Sequence, residues 1–145
     1  LLAIAVTYME VGRDDEVLNS YRAVLALDDD NLVALNNLAW NLLEADTEAA
    51  LGYARRAEAV SPESADVLDT LALAYFHSGD IDKARRTLER ALDARPDDAS
   101  MLYHRAMMAA ASGENDMARR TLEELFASGK SFPEKDKAAE LLASL

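Results

Sequence analysis

Apolar residues recur along this chain at helical spacing, and the pattern itself recurs. In the stretch Leu68-x-x-Leu71-Ala72-x-x-Tyr75 the apolar positions fall at i, i+3, i+4 and i+7, one face of a helix. Ala84, Leu88 and Ala91 mark a second helix of the same kind, with Gly79 between the two and Pro96 after them. A shift back by 33 residues gives Leu35, Leu38, Ala39 and Leu42, then Ala50, Ala54, Ala57 and Pro62. A shift forward by 34 gives Leu102, Arg105, Ala106 and Ala109, then Gly113, Ala118, Leu122 and Leu125. One unit further back stand Leu1, Ile4, Ala5, Tyr8, Gly12, Val17, Tyr21 and Val24. Self-similarity at this period is the mark of stacked helix pairs, each too small to bury its apolar face alone.

The residues between the periodic stretches agree with that reading. Ala39, Ala72 and Ala106 are small where two helix backbones must approach closely. Gly79 and Gly113 suit a left-handed ending of the first helix, and Asp80 and Glu114 then place negative charge at the next helix N-terminus. Pro62 and Pro96 end the second helices because proline has no N–H for the ladder. The run Asp28-Asp29-Asp30 reads as a turn between units, with Asp30 or Asn31 capping the next helix. After Phe132-Pro133 a closing helix is expected, with Ala138, Leu141, Leu142 and Leu145 on one face.

This pattern resembles the tetratricopeptide repeat family: a large residue, Leu, a small residue, an aromatic, then Ala, a large residue, Ala and Pro. The third unit matches at nearly every slot. The second lacks the glycine and is one residue shorter at Glu44-Ala45-Asp46-Thr47, and the fourth departs most, with Arg105 in an apolar slot, Leu125 in a small one and Lys130 in place of proline. The resemblance implies an all-α, right-handed superhelical solenoid of antiparallel helix pairs. Its four units would fall at about 1–31, 32–64, 65–98 and 99–132, with a capping helix at about 133–145. It also implies a concave groove lined by the first helices. The matching inward slots are Leu2, Val6, Met9, Asn36, Trp40, Leu43, Asp69, Leu73, Phe76, Tyr103, Met107 and Ala110. Leu73 and Phe76 lie off the face defined by Leu68 and Leu71, and Trp40 stands likewise to Leu35 and Leu38. Such residues either anchor a partner or pack against the neighbouring unit's first helix.

Composition and charge then narrow the function. The chain has 145 residues, half of them hydrophobic, with 5 Gly and 3 Pro, the balance of a single helical domain. Its 15 basic and 27 acidic residues leave a net charge of −12, which disfavours nucleic acid and direct membrane contact. No cysteine is present, so disulfides, thiolate metal sites and cysteine nucleophiles are excluded. The longest uncharged apolar stretch, residues 1–9, is far short of the roughly 20 a membrane span needs, and it has no signal-peptide features. The chain opens without methionine inside a helical pattern, as the C-terminal part of a longer protein would.

Candidate chemistry adds little. His77 and His104 come from different units, and His104 with Asp69 gives at most two metal ligands where three or more are expected, so no metal or cofactor is implied. No glycine-flanked serine elbow or phosphate-cradling loop occurs. The pairs Arg55-Arg56, Arg85-Arg86 and Arg119-Arg120 fall on second helices. Glu89, Glu123 and Glu124 follow Arg85, Arg119 and Arg120 at i+4, which reads as local ion pairing on a solvated face. The inward slots carry no cation to clamp a terminal carboxylate, so an apolar protein segment is the expected partner.

The stretches Leu35-Asn36-Asn37-Leu38-Ala39-Trp40, Asp69-Thr70-Leu71-Ala72, Tyr103-His104 and the final Phe132 and Leu141-Leu142 also resemble the C-terminal repeats of bacterial envelope tetratricopeptide lipoproteins of exosortase and exopolysaccharide systems. That likeness implies a periplasmic, membrane-tethered parent; without it a cytoplasmic location is expected. The sequence thus points to a non-catalytic protein-binding scaffold. The alternative is a structural spacer or self-assembling end of a longer array, pairing through Leu1, Leu2 and Ala5.

Overall fold

A computed structural model describes residues 14–145. Eight helices follow one another among the described residues: α1 (Asp14–Leu27), α2 (Leu32–Leu42), α3 (Thr47–Val60), α4 (Ala65–His77), α5 (Ile81–Ala94), α6 (Ala99–Ala111), α7 (Asn115–Ala127) and α8 (Lys135–Ser144). The expected first helix of the first unit, with Leu2, Val6 and Met9, lies outside the described residues. The pairs α2–α3, α4–α5 and α6–α7 each form a tight helical hairpin, and each second helix also packs on the first helix that follows it. First helices touch one another as well, α2 against α4 and α4 against α6. The result is a helical repeat solenoid.

Small residues set the spacing. Ala39, Ala72 and Ala106 on the first helices and Ala50, Ala84 and Ala118 on the second are fully enclosed. Leu68, Leu71, Leu88 and Met108 share one core with the alanines of the second and third units. A larger side chain at any of these alanines would hold the backbones apart, and overpacking of this kind costs about 1–3 kcal/mol.

Helix ends are fixed by local chemistry. The side chains of Asn31, Asp46, Asp80 and Asp98 accept from the backbone N–H three residues on, at 3.1–3.2 Å. Such caps are each worth about 1 kcal/mol. Asn31 rather than Asp30 takes the cap, with its amide also donating to Asp28 at 3.0 Å. Glu114 makes no cap bond, because its carboxylate is held by Arg85.

Three sequence expectations are corrected. Arg85 does not bond Glu89 one turn along; it forks onto Glu114 across the unit boundary, with one of its two bonds at 3.1 Å. Arg119 and Arg120 likewise form no i, i+4 ion pair among the described residues. Long side chains at a seam between units gain more by bridging two helices than by lying along one. The closing helix begins at Lys135, not at Phe132-Pro133, because Pro133 and Glu134 form a turn first. Phe132 instead turns inward, buried beside Phe126 with ring centroids 6.4 Å apart. Ala138, Leu141, Leu142 and Leu145 do pack on the last hairpin.

Gly79 has φ +84° with open space around its absent Cβ, so a side chain there would meet strain but no clash. Gly52 lies inside α3 with equally open space and no positive φ. Gly79→Ala should therefore lower stability by about 1 kcal/mol. Gly52→Ala should raise it by about 0.5–1 kcal/mol. Urea unfolding of the two variants beside the parent checks both signs.

Candidate functional site

The first helices bring six of the nine described inward residues to one place. Trp40 and Leu43 from α2 and the turn after it, Leu73 and Phe76 from α4, and Tyr103 and Met107 from α6 line a cavity of about 220 Å³. Spacing explains the convergence: each pair sits three or four residues apart on its helix, hence on one face. Trp40 is 41% exposed, whereas Leu43, Leu73 and Tyr103 are buried and Phe76 and Met107 are half-buried. Leu73, at 4% exposure, belongs to the main core and so packs between units. Asn36 is half-buried one turn before Trp40, and its Oδ1 is enclosed without a hydrogen-bond partner. Ala110 is half-buried and packs on the last core cluster.

Beneath this surface lies a buried polar contact. His104 Nδ1 donates to Asp69 Oδ1 at 2.8 Å, joining α6 to α4. Both residues are buried. The His104 ring also faces Trp40, with centroids 6.5 Å apart, and Tyr103 at 5.6 Å. Asp69, one of the expected inward slots, is thus occupied in linking two units. The Tyr103 phenol is pushed above its ordinary range, by burial first and then by Glu134 and Glu140, so it stays a neutral donor near pH 7.

Some lining residues were not foreseen. His104 and His77 border the cavity, Glu44 stands at one rim, and Glu134 and Lys137 of the closing segment stand at the other. No spacing within the repeat pattern points to Glu134 or Lys137, because the closing helix lies outside the repeat. Among the described residues no group of three or more His, Cys, Asp or Glu gathers as metal ligands would, and no helix is long and apolar enough to cross a membrane.

Fold and site together define a helical-repeat protein of the kind that presents a surface to other proteins. Three tetratricopeptide-repeat models match the sequence, over residues 42–109, 1–35 and 100–124, and the chain belongs to that family. Among solved structures it is similar to TTC0263, a thermophilic repeat protein of Thermus thermophilus. That likeness has 26% identity and a TM-score of 0.86, covering 99% of this chain and 80% of that one. MamA from Desulfovibrio magneticus is 18% identical with a TM-score of 0.76, over 86% of this chain and 71% of that one. An O-GlcNAc transferase of Thermobaculum terrenum shares the fold at 22% identity and a TM-score of 0.80, over 86% of this chain but 24% of that one. No curated protein matches the sequence. Family membership supports a general role as a protein-interaction scaffold.

Removing the Asp69 carboxylate would leave His104 Nδ1 buried without a partner, which costs about 1–3 kcal/mol. Asp69→Ala should lose that much in urea unfolding. Asp69→Asn, which keeps an acceptor oxygen, should lose clearly less.

Proposed function

We propose that the chain is a non-catalytic scaffold module that holds an apolar segment of a partner protein in the groove formed by α2, α4 and α6. The observation that carries this reading is Trp40. It stands 41% exposed over a cavity walled by Leu43, Leu73, Phe76 and Met107. Large exposed aromatics beside a preformed apolar hollow are the usual anchors of protein interfaces. Val6 and Met9 extend the same row of inward slots toward the N-terminal side, by sequence register. Trp40, Phe76 and Met107 supply contact area, Tyr103 a hydrogen-bond donor, and Leu43 and Leu73 a rigid floor. Asn36 and Asp69 support the groove from behind. The rim charges Glu44, Glu134 and Lys137 favour neither a strongly acidic nor a strongly basic segment.

Affinity capture from native cell extract, with the parent beside a Trp40→Ala, Phe76→Glu double variant, tests the groove. Circular dichroism first establishes that both are helical. Loss of a partner in the variant is expected, and an anchor such as Trp40 should account for about 2 kcal/mol of its binding energy. Equal capture by both, or none by either, would favour a structural spacer whose contacts are only with neighbouring repeats.

A further inference from the structure

The fourth unit enlarges a cavity that the third unit partly fills. In the third, the space between α3, α4 and α5 holds the Tyr75 ring over an apolar floor at Leu71. The Arg55 guanidinium and Lys83 ammonium sit over that ring, 5.6 and 5.5 Å from its centroid. Arg90 closes the space by bonding Glu58 at 2.6 Å and the Pro62 carbonyl at 3.1 Å. Thirty-four residues on, every one of these devices is replaced: Ala109 for Tyr75, Met117 for Lys83, Glu124 for Arg90 and Arg105 for Leu71. The space between α5, α6 and α7 is correspondingly larger, about 500 Å³ against about 310 Å³. That lies within the range of small-molecule pockets.

Arg105 gives the cavity its chemistry. Its side chain forms no hydrogen bond or ion pair among the described residues, and its Nε is buried without a partner. The nearby Arg85 is already committed to Glu114. Arg105 is half-buried, so its guanidinium keeps free donors toward the cavity, and its planar fork matches a carboxylate. Leu88, Met108 and Ala109 supply apolar wall, and Met117, 46% exposed, stands at the edge. Glu89, Glu124 and Arg120 complete the charged lining.

We propose that this cavity binds a monocarboxylate with a short apolar body. The carboxylate pairs with the Arg105 guanidinium and the body lies against Met108, Ala109 and Met117. Glu89 and Glu124 oppose any anion and a doubly charged one most, which favours a monocarboxylate over phosphates and dicarboxylates. The site is separate from the groove: Arg105 lies about 200° around α6 from Tyr103, at 3.6 residues per turn. The carboxylate belongs either to a small free acid or to a docked chain, and either binding would be independent of Trp40.

The test is an NMR titration of the intact chain with hexanoate, with hexanamide as the neutral match and succinate as the dianion. Hexanoate should shift the Arg105 Nε–H and the Ala109 and Met117 amides saturably, at least tenfold more tightly than either control. Arg105→Leu, which restores the residue of the earlier units, should fold, melt higher than the parent and lose the response. Ala109→Tyr should lose it while keeping the guanidinium. Equal response to hexanoate and hexanamide, persistence in Arg105→Leu, or no response would overturn the proposal. An acetylated Ala-Leu-Leu tripeptide with a free terminus distinguishes the sources. Binding tenfold tighter than hexanoate supports a docked chain, and equal or weaker binding supports a small acid.

Discussion

Everything in this chain depends on the burial of one helix pair by the next. A single pair has too little apolar surface to offset the entropy of ordering it, so each unit is stable only as a neighbour. The requirement is met at two seams. Along one, the second helix of a unit lies on the first helix of the following unit, and Ala50, Ala54, Leu88 and Ala91 belong to the same core cluster as residues of α4 and α6. Along the other, first helices touch directly and bury Leu43 and Leu73 between them. The seam between the second and third units is the more extensive, and that between the third and fourth is thinner.

A stack held only by apolar faces could slip in register, and polar tethers between units oppose this. Arg56 reaches the carbonyl of Asp29, and Arg90, 34 residues later, reaches that of Pro62. Where the next cation of the series would stand is Glu124, and Lys130 reaches the Asp97 carbonyl at 2.6 Å instead. The tether thus moves from the middle of the second helix to the loop after it. Arg85 with Glu114 adds a further link across a seam, whereas Arg95 with Asp66 ties the two helices of the third unit together. Exposed pairs of this kind contribute little to stability individually. Their effect is positional, since each link across a seam closes one way of sliding a unit past its neighbour. The buried His104–Asp69 contact does the same on the first-helix side.

Most of the architecture was legible because it rests on local rules repeated with a period. Apolar spacing marked the helix faces, and small residues marked the close approaches. Asn31, Gly79, Gly113, Pro62 and Pro96 marked the boundaries that α2, α4, α6, α3 and α5 obey. The inward slots were legible in register but not in exposure. Repeat position alone cannot say that Leu73 is enclosed while Trp40 stands open, because that depends on how far α2, α4 and α6 splay. Ion pairing was misjudged for a related reason. The i, i+4 rule describes an isolated helix, and here Arg85 has a second helix within reach. The start of the closing helix was placed two residues early, because Phe132 had a deeper site available than a first helical turn.

The fourth unit brings these points together. Here the changes are not scattered over the surface: Arg105, Ala109, Met117 and Glu124 line one cavity. Replacement of Leu71 by its counterpart Arg105 exchanges a fully buried leucine for a half-buried cation whose Nε has no partner, which lowers stability unless that group is paired. Replacement of Tyr75 by its counterpart Ala109 removes a ring and two cation contacts, again to no structural gain. Loss of the Arg90 tether at Glu124 removes the strut that would have closed the space. Each change alone weakens the unit, and together they make room, charge and access at one place. α6 thereby presents the groove residues Tyr103 and Met107 on one face and the cavity residues Arg105 and Ala109 on the opposite one. A single helix held by neighbours on both sides gives the fourth unit two surfaces of different chemistry, one aromatic and open, the other a cavity with a half-buried guanidinium in its wall.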